Sequence, residues 1–316
     1  MKASVLMSIY NETVEQIKES VSSVLSQDFV DFELIIVLDK PDRDDVQDVL
    51  TSFSDKRIRF YKNEKNVGLA LSMNKVAELA QANIFIRMDA DDVCLPGRFK
   101  REIEIIETGD FDFVFSNYND IDLNSCIIRN SAYEDDISDT SVTRRMVSLN
   151  PSIIHHPTVM FTKDIFERAG GYRDFPCSQD SDMWLRMAEK GCRFYKLGTP
   201  YLNYRVNPNS VTSKRWYQQQ LTCHYIFELS VQRLLKGNDS YSYEDYHRYL
   251  DKFKVSDEKA KEALHKAVDN LLYSANAEND GHRLQSLWLK TKVIFISNVY
   301  RRHIYYLIRK KTLLHS

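Results

Sequence analysis

The sequence predicts an α/β protein with a mostly parallel sheet, helices on both faces of that sheet, and a helical C-terminal region. Short apolar segments typical of strands alternate with segments of helical spacing through the first half of the chain. The strand segments are apolar almost throughout, as expected of parallel strands, because both of their faces are buried. After about residue 216 the strand pattern stops and helical spacing continues.

Each element can be placed from its own residues. Phe32–Leu38 (FELIIVL) is a continuous apolar run of strand length, whereas Val14–Leu25 repeats apolar residues at helical spacing. The predicted strands are Ala3–Ile9, Phe32–Leu38, Ile58–Tyr61, Ile84–Met88, Phe111–Phe115, Thr158–Phe161 and Phe194–Arg205. The predicted helices are Val14–Leu25, Asp44–Phe53, Ala70–Ala80, Arg98–Ile106, Val142–Leu149, Met183–Lys190, Trp216–Leu235, Ser242–Phe253, Asp257–Ala275 and Arg283–Arg309.

Length and composition describe an ordinary globular chain. At about 150 residues per domain, 316 residues suggest two domains, and we place the boundary between residues 1–215 and 216–316. The 43 Lys and Arg nearly balance the 45 Asp and Glu, and the net charge of -2 argues against nucleic-acid binding by bulk charge. Five scattered cysteines without a C-x-x-C pair suggest a reducing compartment and no zinc site. With no signal peptide and no spanning apolar run, we expect a cytoplasmic protein.

The C-terminal segment has a charge pattern of its own. From Lys290 to Ser316 there are seven Lys or Arg residues and no Asp or Glu. Apolar runs at Val293–Ile296 and Ile304–Ile308 flank a basic cluster, and Arg309–Lys311 follows. This pattern is typical of a helix lying on anionic lipid, where each Lys or Arg contributes about 1 kcal/mol. We therefore expect peripheral membrane contact through about residues 290–311. The alternative is a helix packed on the body with a basic outer face.

Polar residues follow three of the predicted strands. In a parallel sheet, ligands bind outside the carboxyl ends of the strands, so these residues are candidates for a binding site. Asp39 by itself is equally well explained as a turn or cap residue. The candidates are Ser8, Tyr10, Asn11 and Glu12 after the first strand, Asp39 after the second, and Asp89, Ala90, Asp91 and Asp92 after the fourth.

Asp89-x-Asp91-Asp92 indicates a cation site. Three carboxylates within four residues repel one another unless something neutralises them, and oxygen ligands suit Mg²⁺ or Mn²⁺. Such a cation commonly bridges to a diphosphate. An EF-hand is excluded because its required Gly and Glu are missing. A solvated or helix-capping loop is the alternative.

A second set of candidates lies later in the chain. Asp180 opens a helix and is either an N-cap or a general base held at the edge of a site. His155 and His156 precede a strand, where such a pair is more often structural than metal-binding. Arg205 ends a strand and is expected either to contact phosphate or to pair with a surface acid.

Several motifs together resemble family 2 glycosyltransferases. The resemblance covers about residues 2 to 213 in consistent order. Its segments are Ser8–Glu12 (SIYNE), FELIIVLD ending in Asp39, Asn66-Val67-Gly68-Leu69 with Asn74, Met88–Asp92 (MDADD), HHPTVMF, Ala169–Tyr172 (AGGY), QDSDMWLR and YRVNPNSVT.

The resemblance implies the GT-A fold, a nucleotide-diphosphate-sugar donor, inversion at the anomeric carbon and a Mn²⁺ or Mg²⁺ cofactor. Asp39 corresponds to the acid that binds the uracil ring, Asp89 to the acid near the ribose and sugar, and Asp91 to the metal ligand. Asp180 corresponds to the general base. Asp89, His155, His156 and Arg205 are further candidates for the metal and phosphate region. The implied nucleotide-sugar site comprises Ser8, Tyr10, Asn11, Glu12, Asp39, Asn66, Gly68, Asn74, Asp89, Ala90 and Asp91.

On this resemblance, residues of about 1–118 bind the nucleotide sugar and about 119–215 bind the acceptor. The donor is expected to be a UDP-sugar carrying galactose, glucose or N-acetylhexosamine. The acceptor is expected to be a glycan hydroxyl, lipid-linked, in cell-surface polysaccharide synthesis. Two alternatives stay open, namely a sugar nucleotidyltransferase and a non-catalytic protein that binds nucleotide sugars. The Gly-rich loop of the former is missing, since Ser8–Thr13 contains no Gly.

Overall fold

The computed structural model describes residues 1–207, 215–253, 258–259, 262–263, 266 and 298–314. By its internal contacts the chain divides into two compact units, Met1–Ser210 and Val211–Ser316. The predicted helix Asp257–Ala275 falls almost entirely outside the described residues, as does the Arg283–Ser297 part of the last predicted helix.

The first unit is built on one mixed sheet. Its strands are β1 Ala3–Ile9, β2 Phe32–Leu38, β3 Ile58–Lys62, β4 Ile84–Asp89, β5 Val93–Cys94, β6 Phe113–Ile121, β7 Ile127–Arg129, β8 Val159–Thr162 and β9 Phe194–Arg205. Their order is β3-β2-β1-β4-β8-β6-β9-β5, and β7 pairs with β6. β1, β2, β3 and β4 are parallel neighbours, whereas β8 runs antiparallel to both β4 and β6. The predicted fold class is confirmed, and its parallel part is mainly the first four strands.

Helices cover the sheet and begin and end at recognisable residues. Thr13 and Gln16 form a capping box that starts the first helix, and Gly170, with a φ of 80°, ends the sixth. The helices of this unit are α1 Val14–Leu25, α2 Asp44–Ser52, α3 Leu69–Leu79, α4 Arg98–Glu107, α5 Thr140–Leu149, α6 Lys163–Ala169 and α7 Gln179–Glu189. Short 3-10 turns lie at Pro151–Ile153 and His156–Thr158.

The core lies on both faces of the sheet. Val5 and Met7 of β1 belong to one buried apolar cluster, while Leu6 between them belongs to the other. Successive strand residues point to opposite faces, so a strand buried on both faces must be apolar at every position. This is why β1 and β2 are recognisable as continuous apolar runs.

Three short elements escape the sequence prediction, namely β5, β7 and α6. The two residues of β5 and the three of β7 are too few to show a period, and the seven residues of α6 make only about two helical turns. β5 forms where it pairs with the distant Leu202–Asn203 of β9. β6 also continues beyond the predicted Phe115 to Ile121, and α7 begins four residues before the predicted Met183. The earlier start places Asp180 in the first turn of α7.

The second unit contains three described helices, α8 Trp216–Lys236, α9 Tyr243–Lys252 and α10 Asn298–Leu313. Lys310 of α10 is buried, its Nζ donates to Ser230 Oγ at 2.6 Å, and it lies 4.9 Å from the ring centroid of Phe227. The expectation that Lys310 belongs to an exposed basic surface is therefore wrong, because its ammonium is used inside this unit. None of the described helices is both long and apolar enough to cross a membrane.

Candidate active site

The candidate site forms where β1, β2 and β4 end side by side. In the parallel pairing, Ser8 of β1 is level with Val37 of β2 and with Asp89 of β4. The backbone N–H of Asp39 continues this pairing by donating to the carbonyl of Ile9 at 2.8 Å. The three predicted groups of polar residues therefore lie at one edge of the sheet.

Asp39 is buried and organises the loop before α3. Its Oδ1 accepts hydrogen bonds from Asn63 Nδ2 at 2.8 Å and from the backbone N–H of Val67 at 2.9 Å. Its Oδ2 accepts from the backbone N–H of Gly68 at 2.8 Å. Gly68 has a φ of 88°, which favours glycine at this turn. The uracil contact stays a prediction, and the structure shows that Asp39 also fixes the loop of Asn66 and Gly68.

The loop after β1 is held by its own carboxylate and by the neighbouring loop. Glu12 is half-buried, and its Oε2 accepts from the backbone N–H of Tyr10 at 2.6 Å. Arg43, which follows β2, donates to the Glu12 carbonyl at 2.9 Å, and Lys40 Nζ donates to Asn11 Oδ1 at 3.3 Å. These bonds leave the Tyr10 side chain exposed at the edge of the sheet.

The Asp89–Asp92 loop is held from two sides. On one side, Ser20 of α1 donates to the Asp89 carbonyl at 2.9 Å. On the other side, Arg205 at the end of β9 donates through Nε to the Asp91 carbonyl at 2.7 Å and through its backbone N–H to Asp92 Oδ1 at 2.8 Å. The loop backbone is therefore fixed, which presents the Asp91 carboxylate in a defined place.

The guanidinium of Arg205 donates hydrogen bonds to oxygens of the protein. Besides the Asp91 carbonyl, it donates to the Asp122 carbonyl at 2.9 Å and to Ser125 Oγ at 3.0 Å, and it pairs with Glu19 at 2.6 Å. Of the two roles open from the sequence, the structure favours pairing with an acid. Arg205 holds the loop in place, and we do not assign it a phosphate contact.

Negative charge accumulates around Asp91. Burial, together with the carboxylates of Asp89 and Glu12, raises the pKa of Asp91 to about 7. Burial and Asp89 also raise the pKa of Glu12. Such carboxylates fit a hard divalent cation, which would relieve this repulsion.

Within the described parts of the chain, no cluster of three His, Cys, Asp or Glu side chains could hold a metal ion. This still fits Mg²⁺, which is commonly bound by one or two carboxylates and completed by substrate phosphates and water. Asp91 is the residue best placed to supply such a carboxylate, with Asp89 beside it.

Asp180 stands at the start of α7. Ser178, with a φ of 58°, turns the chain into the helix, and Asp180 Oδ1 accepts from the backbone N–H of Ser181 at 2.8 Å. The pKa of Asp180 is raised to about 6, mainly by burial and to a smaller extent by the charge of Asp89. The hydrogen bonds from backbone N–H groups and the charge of Arg87 oppose this rise. A carboxyl with a pKa close to neutrality suits proton transfer.

The two histidines have different surroundings. His155 packs between Tyr118 and Tyr204, with ring centroids 4.0 and 4.6 Å away, and burial lowers its pKa to about 4. His156 is buried, and its Nε2 is hydrogen-bonded by Arg87 and by Tyr172. We therefore do not propose His156 as a metal ligand, while the role of His155 stays a prediction.

Asn74 bonds to protein backbone. Its Oδ1 accepts from the backbone N–H of Tyr172 at 2.8 Å, and its Nδ2 donates to the carbonyl of the same residue at 2.8 Å. The preceding Gly171 is packed so closely that an added Cβ would lie 2.8 Å from Asn74 Oδ1. Asn74 thus joins α3 to the loop before α7, and this explains why Ala169–Tyr172 forms part of the motif set.

Arg87 is absent from the residues predicted from the sequence, and Tyr172 was placed in a motif without a role, although both contact site residues. Arg87 is buried, and its guanidinium pairs with Asp89. One signal could have found Arg87: it is a charged residue within the otherwise apolar run Ile84–Met88 (IFIRM). Buried charges are rare unless they are paired, so such a residue points to a partner nearby.

Comparison with known proteins identifies the family. Residues 4–170 match the family model described as Glycosyl transferase family 2. The chain belongs to this family. This family 2 glycosyltransferase is 30% identical over 225 residues to the uncharacterized glycosyltransferase MJ1057 of Methanocaldococcus jannaschii, covering 70% of this chain and 77% of the relative. It is 29% identical over 212 residues to the O-antigen biosynthesis glycosyltransferase WbnJ of Escherichia coli, covering 66% and 80%.

The fold of this family 2 glycosyltransferase is also found in a solved structure. Crystalline S. aureus TarS 1-349 in complex with UDP-GlcNAc has a TM-score of 0.63 at 15% identity, covering 100% of this chain and 91% of that one. At such low identity the likeness concerns the fold alone, and it confirms the predicted GT-A class.

Proposed function

We propose that this family 2 glycosyltransferase transfers a sugar from a UDP-sugar to a hydroxyl group of a glycan acceptor in polysaccharide synthesis, with inversion at the anomeric carbon. The S. aureus neighbour was crystallised with UDP-GlcNAc, and the E. coli relative is named for O-antigen biosynthesis. The first supports a UDP-sugar donor, for which the resemblance implies galactose, glucose or N-acetylhexosamine, and the second supports a glycan acceptor.

The surroundings of Asp180 carry the proposal. It is a carboxylate at the start of a helix, with a pKa of about 6, in an electrostatic group that includes Asp89. Asp180 takes the proton of the acceptor hydroxyl while that oxygen forms a bond to the anomeric carbon. The bond from this carbon to the UDP oxygen breaks with its electron pair, so UDP leaves. A single displacement converts a UDP-α-sugar into a β-linked product.

Asp91, with Asp89 beside it, would hold Mn²⁺ or Mg²⁺. When bound, such a cation stabilises the negative charge that develops on the leaving diphosphate. Asp39 and the loop of Asn66 and Gly68 bind the nucleotide base, and the backbone near Ser8 and Tyr10 lines its pocket.

The C-terminal segment bears on the nature of the acceptor. A lipid-linked glycan suits a chain whose C-terminal segment is rich in Lys and Arg and holds no acid after Lys290. On the described part of α10, the exposed residues include Tyr305, Ile308, Arg309 and Lys311. We propose that these side chains contribute to peripheral membrane contact.

Thermal unfolding with UDP, GDP, CDP and dTDP, each with Mn²⁺ or with a chelator, tests the donor site. A nucleotide at 100 times its Kd adds about 2.7 kcal/mol of stability, which raises the Tm by roughly 5 to 10 °C for a unit of this size. We expect this rise with UDP and Mn²⁺, and its loss with the chelator. Asp91→Ala should abolish the rise, whereas the matched exposed control Asp110→Ala should keep it.

Transfer itself is tested with Asp180→Asn. This variant should bind UDP and Mn²⁺ like the parent chain but transfer sugar about 10² to 10⁴ times more slowly, the usual contribution of a general base. Transfer at the parental rate would refute Asp180 as the base. Release of pyrophosphate from UTP and a sugar phosphate would instead support a nucleotidyltransferase. A folded chain that turns over no donor would support a binding protein without catalysis.

A further inference from the structure

Arg87 is a buried cation that the proposed mechanism does not use. It lies in β4 between Ile86 and Met88 and is fully inaccessible to solvent. A guanidinium removed from water must be compensated by charge and hydrogen bonds. Its partners therefore indicate what this residue does.

All three nitrogens of the Arg87 guanidinium are hydrogen-bonded. Nη2 pairs with Asp89 Oδ1, and Nη1 donates to the carbonyl of Met88. On the other side, Nε donates to His156 Nε2 at 3.3 Å. The planar guanidinium thus connects the carboxylate at the end of β4 to a buried histidine, in a geometry that a lysine ammonium cannot reproduce.

His156 is itself held in one state. Because arginine only donates hydrogen bonds, the Nε2 that faces Arg87 must be an acceptor. The hydroxyl of Tyr172 lies 2.8 Å from the same nitrogen and therefore donates to it. His156 is consequently neutral, with its proton on Nδ1. Asn74 fixes the backbone of Tyr172, so the whole chain of bonds is anchored to α3.

We propose that Arg87 is a positioning residue of the donor site, in which its guanidinium, fixed by His156 and Tyr172, holds the Asp89 carboxylate in one orientation. One Asp89 oxygen is occupied by Arg87, and the other is left for the donor. This inference rests on the proposed function, since Asp89 is placed near the ribose and sugar by family resemblance.

The side chain of Asp89 supports this arrangement. It is 29% exposed, whereas its partner Arg87 is not exposed at all. Arg87, the buried partner, is therefore fixed, and the carboxylate of Asp89 is the partner that a ligand can reach. The positive charge of Arg87 also acts on Asp180, where it opposes the effect of Asp89.

A double-mutant cycle separates positioning from simple core stability. We would measure the Kd for UDP in the presence of Mn²⁺ by calorimetry for the parent chain, Arg87→Lys, Asp89→Asn and the double variant. Each single change should weaken UDP binding about tenfold. The double variant should bind no more weakly than Asp89→Asn, because Arg87 acts only through Asp89.

The control is Arg186→Lys, which alters another buried arginine that is paired with a carboxylate. Arg186 Nε donates to Asp182 Oδ2 at 2.8 Å. This variant should lower the Tm yet leave the Kd for UDP within twofold of the parent value. Unchanged UDP binding by Arg87→Lys would overturn the proposal, and so would losses that multiply in the double variant.

If Arg87→Lys does not fold, Tyr172→Phe gives the same information. It removes one buried hydroxyl and should weaken UDP binding about threefold in the parent chain, with no further loss in Asp89→Asn. An equal loss in both backgrounds would overturn the proposal. Failure of the parent chain to bind UDP would refute the proposed UDP donor itself. If the parent chain binds UDP and Arg87→Lys binds it with the same Kd, only the inference about Arg87 is refuted.

Discussion

At the scale of single residues, the carboxylates of this site differ in how many hydrogen bonds their oxygens accept. Asp39 accepts three hydrogen bonds, whereas Asp92 is fully buried with an Oδ2 that accepts none from the described residues. Burial and the neighbouring Asp91 and Asp89 raise the pKa of Asp92. Without a cation, the surroundings of Asp91 therefore favour protonated carboxyl groups, and a bound divalent cation would favour their ionised form.

The pKa of Asp180 predicts how transfer depends on pH. A general base must be ionised, and burial raises the pKa of Asp180 to about 6. At saturating donor, acceptor and Mn²⁺, we expect a constant rate above about pH 7 and a roughly tenfold loss per unit below pH 6. The measurement is kcat between pH 4.5 and 8, with UDP and Mn²⁺ binding followed at each pH. A rate that is equal at pH 7 and pH 5 would exclude Asp180 as the base.

The raised pKa of Asp180 also predicts how the stability of the folded chain depends on pH, which provides a control independent of the transfer rate. A folded pKa above the unfolded value of about 3.9 means that the folded state favours the protonated carboxyl. Ionisation of Asp180 in the folded state therefore lowers the free energy of unfolding. This loss is absent below about pH 4 and complete above about pH 6. Asp180→Asn should therefore unfold at a higher temperature than the parent chain at pH 8. The difference should vanish near pH 4.

At the scale of elements, the site depends on loops that are held by distant parts of the chain. The Asp89–Asp92 loop is fixed by Ser20 of α1 and Arg205 of β9, and the loop before α7 is fixed by Asn74 of α3. None of these contacts is local in sequence. Function at this edge therefore requires the completed sheet, with its helices in place.

Gly171 offers a test of the joint between α3 and the loop before α7. Its φ is 66°, and an added Cβ would lie 2.8 Å from Asn74 Oδ1 and 3.3 Å from the Phe166 ring. Gly171→Ala should therefore cost about 2 to 4 kcal/mol of unfolding free energy, from backbone strain and displacement of Asn74. Urea unfolding of the two chains measures this loss.

The matched control is Gly109→Ala. Gly109 has a φ of 78°, but nothing lies within 4 Å of an added Cβ. Gly109→Ala should therefore lower the free energy of unfolding by only about 1 kcal/mol, because the positive φ is unfavourable for alanine. Equal losses at the two glycines would show that the contact with Asn74 contributes nothing to stability.

At the scale of the whole molecule, the residues of the candidate site all lie in the first unit, Met1–Ser210. That unit has its own sheet and two buried apolar clusters. A chain of residues 1–215 should therefore fold cooperatively and bind UDP with Mn²⁺ within about threefold of the full chain. Calorimetric titration of both chains measures this. A loss of more than tenfold in a folded shorter chain would show that residues 216–316 contribute to donor binding.

Much of the fold could be predicted because its signals are local. The apolar runs of β1 and β2 and the helical spacing of α1 were recognisable within a dozen residues each. The short β5 and β7 were not, because their existence depends on pairing with β9 and β6. Likewise, the burial of Lys310 could not be inferred from a basic, amphipathic segment, since the partner Ser230 is eighty residues away.

The fold class and the family could be predicted from the sequence, which also supplied the candidate site residues at the strand ends. These follow from hydrophobic periodicity and from short motifs whose residues are neighbours in the chain. The folded chain is needed to show which of those residues are held by protein partners, as Asn74 and Arg205 are, and which are buried beside carboxylates that raise their pKa, as Asp91 is. Burial and hydrogen bonding set the charge state of a carboxylate, and both come from parts of the chain that meet only after folding.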